Sequence, residues 1–194
     1  LDLDDYAFGS WSAHDLGASN WPEATRSYLE VNPDVNVVIW SWCGQVSTAT
    51  EQYISDYLSD MDRLEADFPG VSFVYMTGHL DGSGEAGNLH LRNEQIREYC
   101  EANGKILYDF ADIESYDPDG DMCYVPLAGN DACDYDSDGS GSADSNWAVE
   151  WQDEHPLGVD WYDCPSAHSQ PLNANLKAYA AWYLWARLGG WDGS

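Results

Sequence analysis

The chain has 194 residues, with 35 Asp and Glu against 7 Lys and Arg, and a net charge of −28. Such a surface repels nucleic-acid phosphates and anionic lipid, which excludes both as partners. With 44% hydrophobic residues, 10 Trp and 13 Tyr it is still a folding sequence, and its length suits a single domain spanning residues 1–194.

Leu1-Asp2-Leu3-Asp4 reads as the middle of a sequence, with no initiating Met and no signal peptide, as in a processed or truncated chain. No run of about eighteen apolar residues occurs, so no membrane insertion is expected. A short strand is expected around Tyr6 to Phe8, and Pro22 opens a helix to Leu29. Val35 to Ser41 is a continuous apolar run between Pro33-Asp34 and Gly44, the pattern of a strand buried on both faces. From Glu51 to Phe68, Tyr53, Tyr57, Met61 and Leu64 recur at helical spacing, and Pro69-Gly70 ends the helix. Val71 to Thr77 is the next strand, followed by a Gly-rich loop over Gly78 to Asn88. Leu89 to Asn103 is a helix closed by Gly104, and Lys105 to Phe110 a third strand. Strands alternating with helices predict an α/β fold, a three-layer parallel sheet flanked by helices, with ligand sites at the strands' C-terminal ends.

Residues 111–169 break the pattern. They read as a long acidic loop inserted in the domain, a length that calls for a function or a bound ion. Within it, Asp134, Asp136 and Asp138 alternate and Gly139 follows, as in the opening of a calcium loop. Ser145 stands where the usual Glu would close such a loop, so the last ligand is expected from Asp144. Asp117, Asp119 and Asp121 form a second acidic turn nearby. A solvated acidic loop in a high-salt habitat is the other reading; structural calcium is the expectation. Regularity returns at Pro171, with Leu172, Leu176, Ala180, Tyr183 and Leu188 on one helical face.

Five cysteines exceed ordinary cytosolic usage. Cys123 and Cys133 flank one turn-rich segment and are expected to form a disulfide; Cys43 and Cys164 are candidates for a second, and Cys100 is expected as a buried free thiol. These features together point to an extracellular or cell-surface location.

Two segments carry a family likeness. Asp163-Cys-Pro-Ser-Ala-His168-Ser precedes the last amphipathic helix, and Val37 to Gln45 (VVIWSWCGQ) is a buried strand ending in a Gly and an amide side chain. In these blocks and in the order of its elements the chain resembles the SGNH (GDSL-like) hydrolases. The likeness implies a flavodoxin-like, SGNH hydrolase-like fold and acyl transfer, with His168 as base, Asp163 orienting it, and Gly44 and Gln45 holding the oxyanion. Gln45 replaces the family's Asn, and Pro165 stands where its acid would be, which leaves Asp163 as the nearest substitute. The family's serine lies in a first block that Ser10 matches poorly; the likeness therefore places the nucleophile, with the first strand, upstream of Leu1. Without the likeness His168 reads as a structural histidine.

His79 and Asp81 follow the second strand and are candidate substrate contacts, with His14 and His90 as alternative metal partners of His79. Trp40, Trp42, Trp147, Trp151 and Trp161 lie at the proposed strand end or in the long loop, where exposed indoles would stack on sugar rings. The expected function is a secreted ester hydrolase acting on acylated polysaccharide. The alternative is a non-catalytic, calcium-stabilised module for glycan binding, adhesion or assembly, engaging a separate N-terminal polypeptide or self-associating.

Overall fold

The computed structural model describes residues 2–4, 7, 16 and 20–193. Tyr6 and Phe8 of the expected first strand, Ser10 and His14 lie outside the described residues. The chain divides into two compact units: Leu1–Gly78 with Arg92–Leu107, and His79–Leu91 with Tyr108–Ser194.

The elements run α1 (Trp21–Val31), β1 (Val37–Ile39), α2 (Glu51–Asp67), β2 (Ser72–Met76), α3 (Asn88–Asn103), β3 (Ile106–Tyr108), α4 (Phe110–Ile113), β4 (Asp134–Tyr135), β5 (Ser145–Asn146), α5 (Trp147–Glu154) and α6 (Pro171–Leu188). The first three strands form one parallel sheet in the order β1-β2-β3, with Val37 opposite Ser72 and Ile39 opposite Val74. The class is therefore mixed α/β with helices flanking a parallel sheet.

The centre of that sheet follows from its sequence. Phe73, Val74, Tyr75 and Met76 are all buried, as a strand covered on both faces requires, whereas the residues of β1 and β3 are half-buried. Helix α2 lays Ile54, Tyr57, Leu58, Met61 and Leu64 into the core of the first unit. Each such side chain contributes about 1.5–3 kcal/mol by leaving water. Tyr53 sits at the rim instead, its hydroxyl donating to the Leu16 carbonyl at 3.0 Å. The Tyr57 hydroxyl accepts the Met76 amide at 3.2 Å, so the helix is keyed to β2 by a polar contact as well as by packing. Cys100 is buried and forms no disulfide.

Residues 111–169 are more ordered than expected. They contain part of α4, the antiparallel β4–β5 pair and α5, and their Tyr124, Cys133, Trp147 and Ala148 build a core together with Leu172 of α6. The indole of Trp147 stacks on Tyr124 with centroids 5.6 Å apart. Apolar residues with no helical or strand period pack here around a few large rings. The acidic composition hides them from pattern reading.

None of the five cysteines forms a disulfide. The expected Cys123–Cys133 disulfide is not formed. Cys133 adopts a left-handed backbone (φ 71°) and lies buried in the core of the second unit, its sulfur 3.6 Å from the Ser169 hydroxyl, while Cys123 pairs with Tyr116 in a β-bridge. Burial pushes the Cys133 thiol up to about 11, against a smaller opposing effect of the Ser169 hydroxyl, so it is an inert thiol at neutral pH.

Candidate functional site

In the second unit a pocket of about 540 Å³ is lined by Asp131, Ala132, Ser166, His168, Ser169 and Gln170. Its construction begins at the start of α6. Pro171 fixes the first helical turn. Within that turn, the buried Asn173 points its amide back and donates to the Ser169 hydroxyl at 2.7 Å and to the Asp131 carbonyl at 3.4 Å. One side chain thus ties both walls of the pocket together. The Oδ1 of Asn173 is buried and has no hydrogen-bond partner among the described residues.

His168 sits at the mouth with a left-handed backbone (φ 57°). For a residue with a Cβ that conformation costs on the order of 1–2 kcal/mol. Such strain persists where neighbours over-determine it, and functional sites are a common place for it.

The opposite side is set by Leu80. Its amide donates to the fully buried Glu114 carboxylate at 2.7 Å, and its carbonyl accepts the Asp131 amide at 3.1 Å. His79 Nδ1 lies 3.1 Å from the same carbonyl and 3.6 Å from the Asp131 carboxylate. The pocket therefore gathers an exposed histidine, an acid and two serines around one open space, with the His79 imidazole against the Asp131 carboxylate. Proton transfer to and from a bound substrate is within the chemistry of that set.

The sequence-chosen residues distribute unevenly around this pocket. His168 lines it, and His79 reaches it through Asp131. Asp163 does not line it: that side chain is exposed, and no hydrogen bond joins it to His168 among the described residues. Asp131 is the pocket acid instead. No local pattern marks it, because its meeting with His79 and His168 is created by distant parts of the chain. Asp81 accepts the amide and hydroxyl of Ser83, at 3.0 and 2.5 Å, so it closes its own turn rather than presenting a free carboxylate.

Gly44 and Gln45 belong to the first unit. Gly44 caps a 3₁₀ turn over Gln45–Thr48, and the Gln45 side-chain oxygen accepts the Cys43 amide at 2.7 Å, leaving the NH₂ as its donor end. Trp42 is buried core, not an exposed platform: its ring meets Tyr57 at 4.8 Å and its N–H donates to the Met76 carbonyl at 2.8 Å. Trp40 and Trp147 are buried too. Trp151 and Trp161 are half-buried against the core of the second unit.

The acidic loop is organised two residues later than its sequence suggests. Asp134 lies in β4 and accepts the Asn146 side-chain amide at 2.7 Å. The turn instead wraps Asp136, whose carboxylate accepts the amides of Gly139, Ser140 and Gly141 at 2.9, 3.0 and 2.7 Å. Gly141 (φ 85°) supplies the left-handed backbone that closes the turn. The Gly141 amide, with those of Ser140 and Gly139 and against the effect of burial, holds Asp136 below the ordinary carboxylate range. Asp138 accepts Ser140 N–H, and Asp144 accepts the amide and hydroxyl of Ser137. Among the described residues no three acidic, His or Cys side chains converge as a metal cluster.

No family model, curated protein or solved structure matches the chain. No helix among the described residues is long and apolar enough to cross a membrane.

Proposed function

We propose that the second unit carries the acid–base site of a secreted ester hydrolase of SGNH kind, acting on acylated polysaccharide. The observation that carries the reading is the pocket in which His168, in a strained conformation, shares one open space with the Asp131 carboxylate. His168 takes the proton of the attacking hydroxyl and returns it to the leaving alcohol. Asp131 replaces Asp163 as the acid of the site, in contact with His79. The attacking serine comes from outside the described residues, upstream of Leu1 as the SGNH likeness implies.

The test is acetate release from acetylated xylan and from p-nitrophenyl acetate by the protein expressed with whatever its gene encodes ahead of Leu1. Asp131→Asn is expected to lower kcat by about 100-fold, the scale of a lost acid–base partner. Asp163→Asn is expected to leave it unchanged. Equal losses in both variants would return the acid role to the residue beside His168 in sequence. A protein without hydrolysis that is retained on a glycan column would support the non-catalytic module.

Calcium belongs to the same proposal, on a revised ligand set. Counted from Asp136, the loop reads D-x-D-x-S-G, with Asp138 third, Ser140 fifth, Gly141 sixth and Asp144 ninth, the positions at which calcium loops place ligands and their turn glycine. The left-handed Gly141 and the amides gathered on Asp136 fit that frame; Asp134 falls outside it. When bound, the ion would supply charge neutralisation to this acidic loop. Saturating calcium is expected to raise Tm by roughly 5–10 °C, and EDTA to reverse it. Asp136→Asn should abolish the response while Asp134→Asn keeps it. A Tm indifferent to both calcium and chelator would remove the ion from the account.

A further inference from the structure

The outer face of α6 is unlike the rest of the molecule. Tyr179, Trp182 and Tyr183 are 51%, 64% and 57% exposed, and Trp191 beyond the helix, 44% exposed, meets Tyr183 edge-on with centroids 5.8 Å apart. Among the helices of eight or more residues, α6 alone contains no Asp or Glu, although the chain carries 35 of them. Its two charges are the cations Lys177 and Arg187. Six of the chain's seven Lys and Arg residues stand in ion pairs; Arg187 has none among the described residues.

We infer that this face is a self-association surface, on which α6 of one chain packs antiparallel against α6 of a second copy. Tyr179, Trp182, Tyr183 and Arg187 follow the i, i+3, i+4, i+8 spacing of one helical face. An isologous contact requires a self-complementary patch. In an antiparallel pairing centred on Tyr183, each Arg187 lies opposite Tyr179 of the other copy, because both stand four residues from the centre. A guanidinium over an aromatic ring is attractive without any carboxylate partner. Tyr, Trp and Arg are also the side chains that dominate protein interfaces.

Charge selects the occupant. Each copy carries −28, so most other approaches bring carboxylates against carboxylates. The acid-free face of α6 is where two copies meet with least repulsion. The residual repulsion between the flanking acidic surfaces is screened by salt, so salt should tighten the dimer. A bridge from Arg187 to a carboxylate of an acidic partner would instead weaken with salt. The inference does not depend on the hydrolase reading.

Sedimentation velocity tests it, with the chain raised to about 100 µM, a concentration that populates weak complexes, at about 0.15 M and about 1 M NaCl. A monomer–dimer equilibrium that shifts towards dimer in the higher salt is expected. Trp182→Ala with Tyr183→Ala should raise the dimer Kd by at least about tenfold, with an unchanged circular dichroism spectrum because both side chains are exposed. Arg187→Gln should also weaken the dimer. A chain that stays monomeric in both salts overturns the inference, as does a dimer indifferent to the double variant. A monomer retained on a neutral β-glucan gel through Trp182 and Tyr183 would overturn it in favour of a sugar platform.

Discussion

Replacing Glu114 with alanine is expected to destabilise the protein by about 3–5 kcal/mol, the range for breaking a buried ion pair from one side. Glu114 is fully buried, and its two carboxylate oxygens hold different segments. One pairs with Lys177 Nζ on α6 at 2.5 Å, and the other accepts the Leu80 amide at 2.7 Å. The Lys177 side chain is only 18% exposed, its ammonium 4.2 Å from the Phe110 ring centre. Its backbone carbonyl accepts the Tyr108 hydroxyl at 2.7 Å, so it cannot easily swing out to water. Truncating Glu114 therefore leaves a cation and an amide without partners inside the second unit. At this chain length Tm should fall by roughly 6–20 °C. Glu114→Gln paired with Lys177→Met removes both charges and keeps an acceptor for Leu80, so it should recover most of the loss. A Glu114→Ala protein within about 1 kcal/mol of wild type would show that the pair contributes little.

The same contact bears on the site. Leu80 donates to Glu114 and accepts from Asp131, and His79 is its chain neighbour. Loss of Glu114 should therefore loosen the His79–Asp131 arrangement together with the fold, and amide exchange at Leu80 would report both.

Local chemistry made some of this architecture readable in advance. The spacing of Tyr57, Met61 and Leu64 reports α2, and the unbroken run of β2 reports a central strand, because burial on one or both faces imposes a period on the sequence. The second unit was less legible. Its core depends on Trp147, Tyr124 and Cys133 meeting across an acidic, aperiodic segment. The acidic loop offered two frames, since Asp134, Asp136 and Asp138 alternate; Gly139 and Gly141 are both left-handed, and it is the three amides gathered on Asp136, with Asp134 held in β4, that favour the second. Spacing puts Tyr183 on the helical face of Leu172, yet it is exposed, because the buried stripe of α6 is confined to the first turns, at Leu172, Asn173 and Asn175. Asp131 carried no local signal at all. His168 was found through the residues around it and its place before the last helix, both of which are local features.

The second large effect is expected at that histidine. His168 is exposed at the mouth of the pocket and makes no hydrogen bond among the described residues that the core depends on, so His168→Ala should fold with a Tm close to wild type. Alanine does not relieve the left-handed strain, since it also carries a Cβ. A base that removes the nucleophile's proton contributes about 100- to 10,000-fold to the rate. The most direct measurement is therefore kcat/KM for p-nitrophenyl acetate, wild type against His168→Ala, in the full-length protein as its gene encodes it. A loss of at least about 100-fold at unchanged Tm is the expected result. Hydrolysis equal in the two proteins, or absent from both, would contradict an acid–base role for His168.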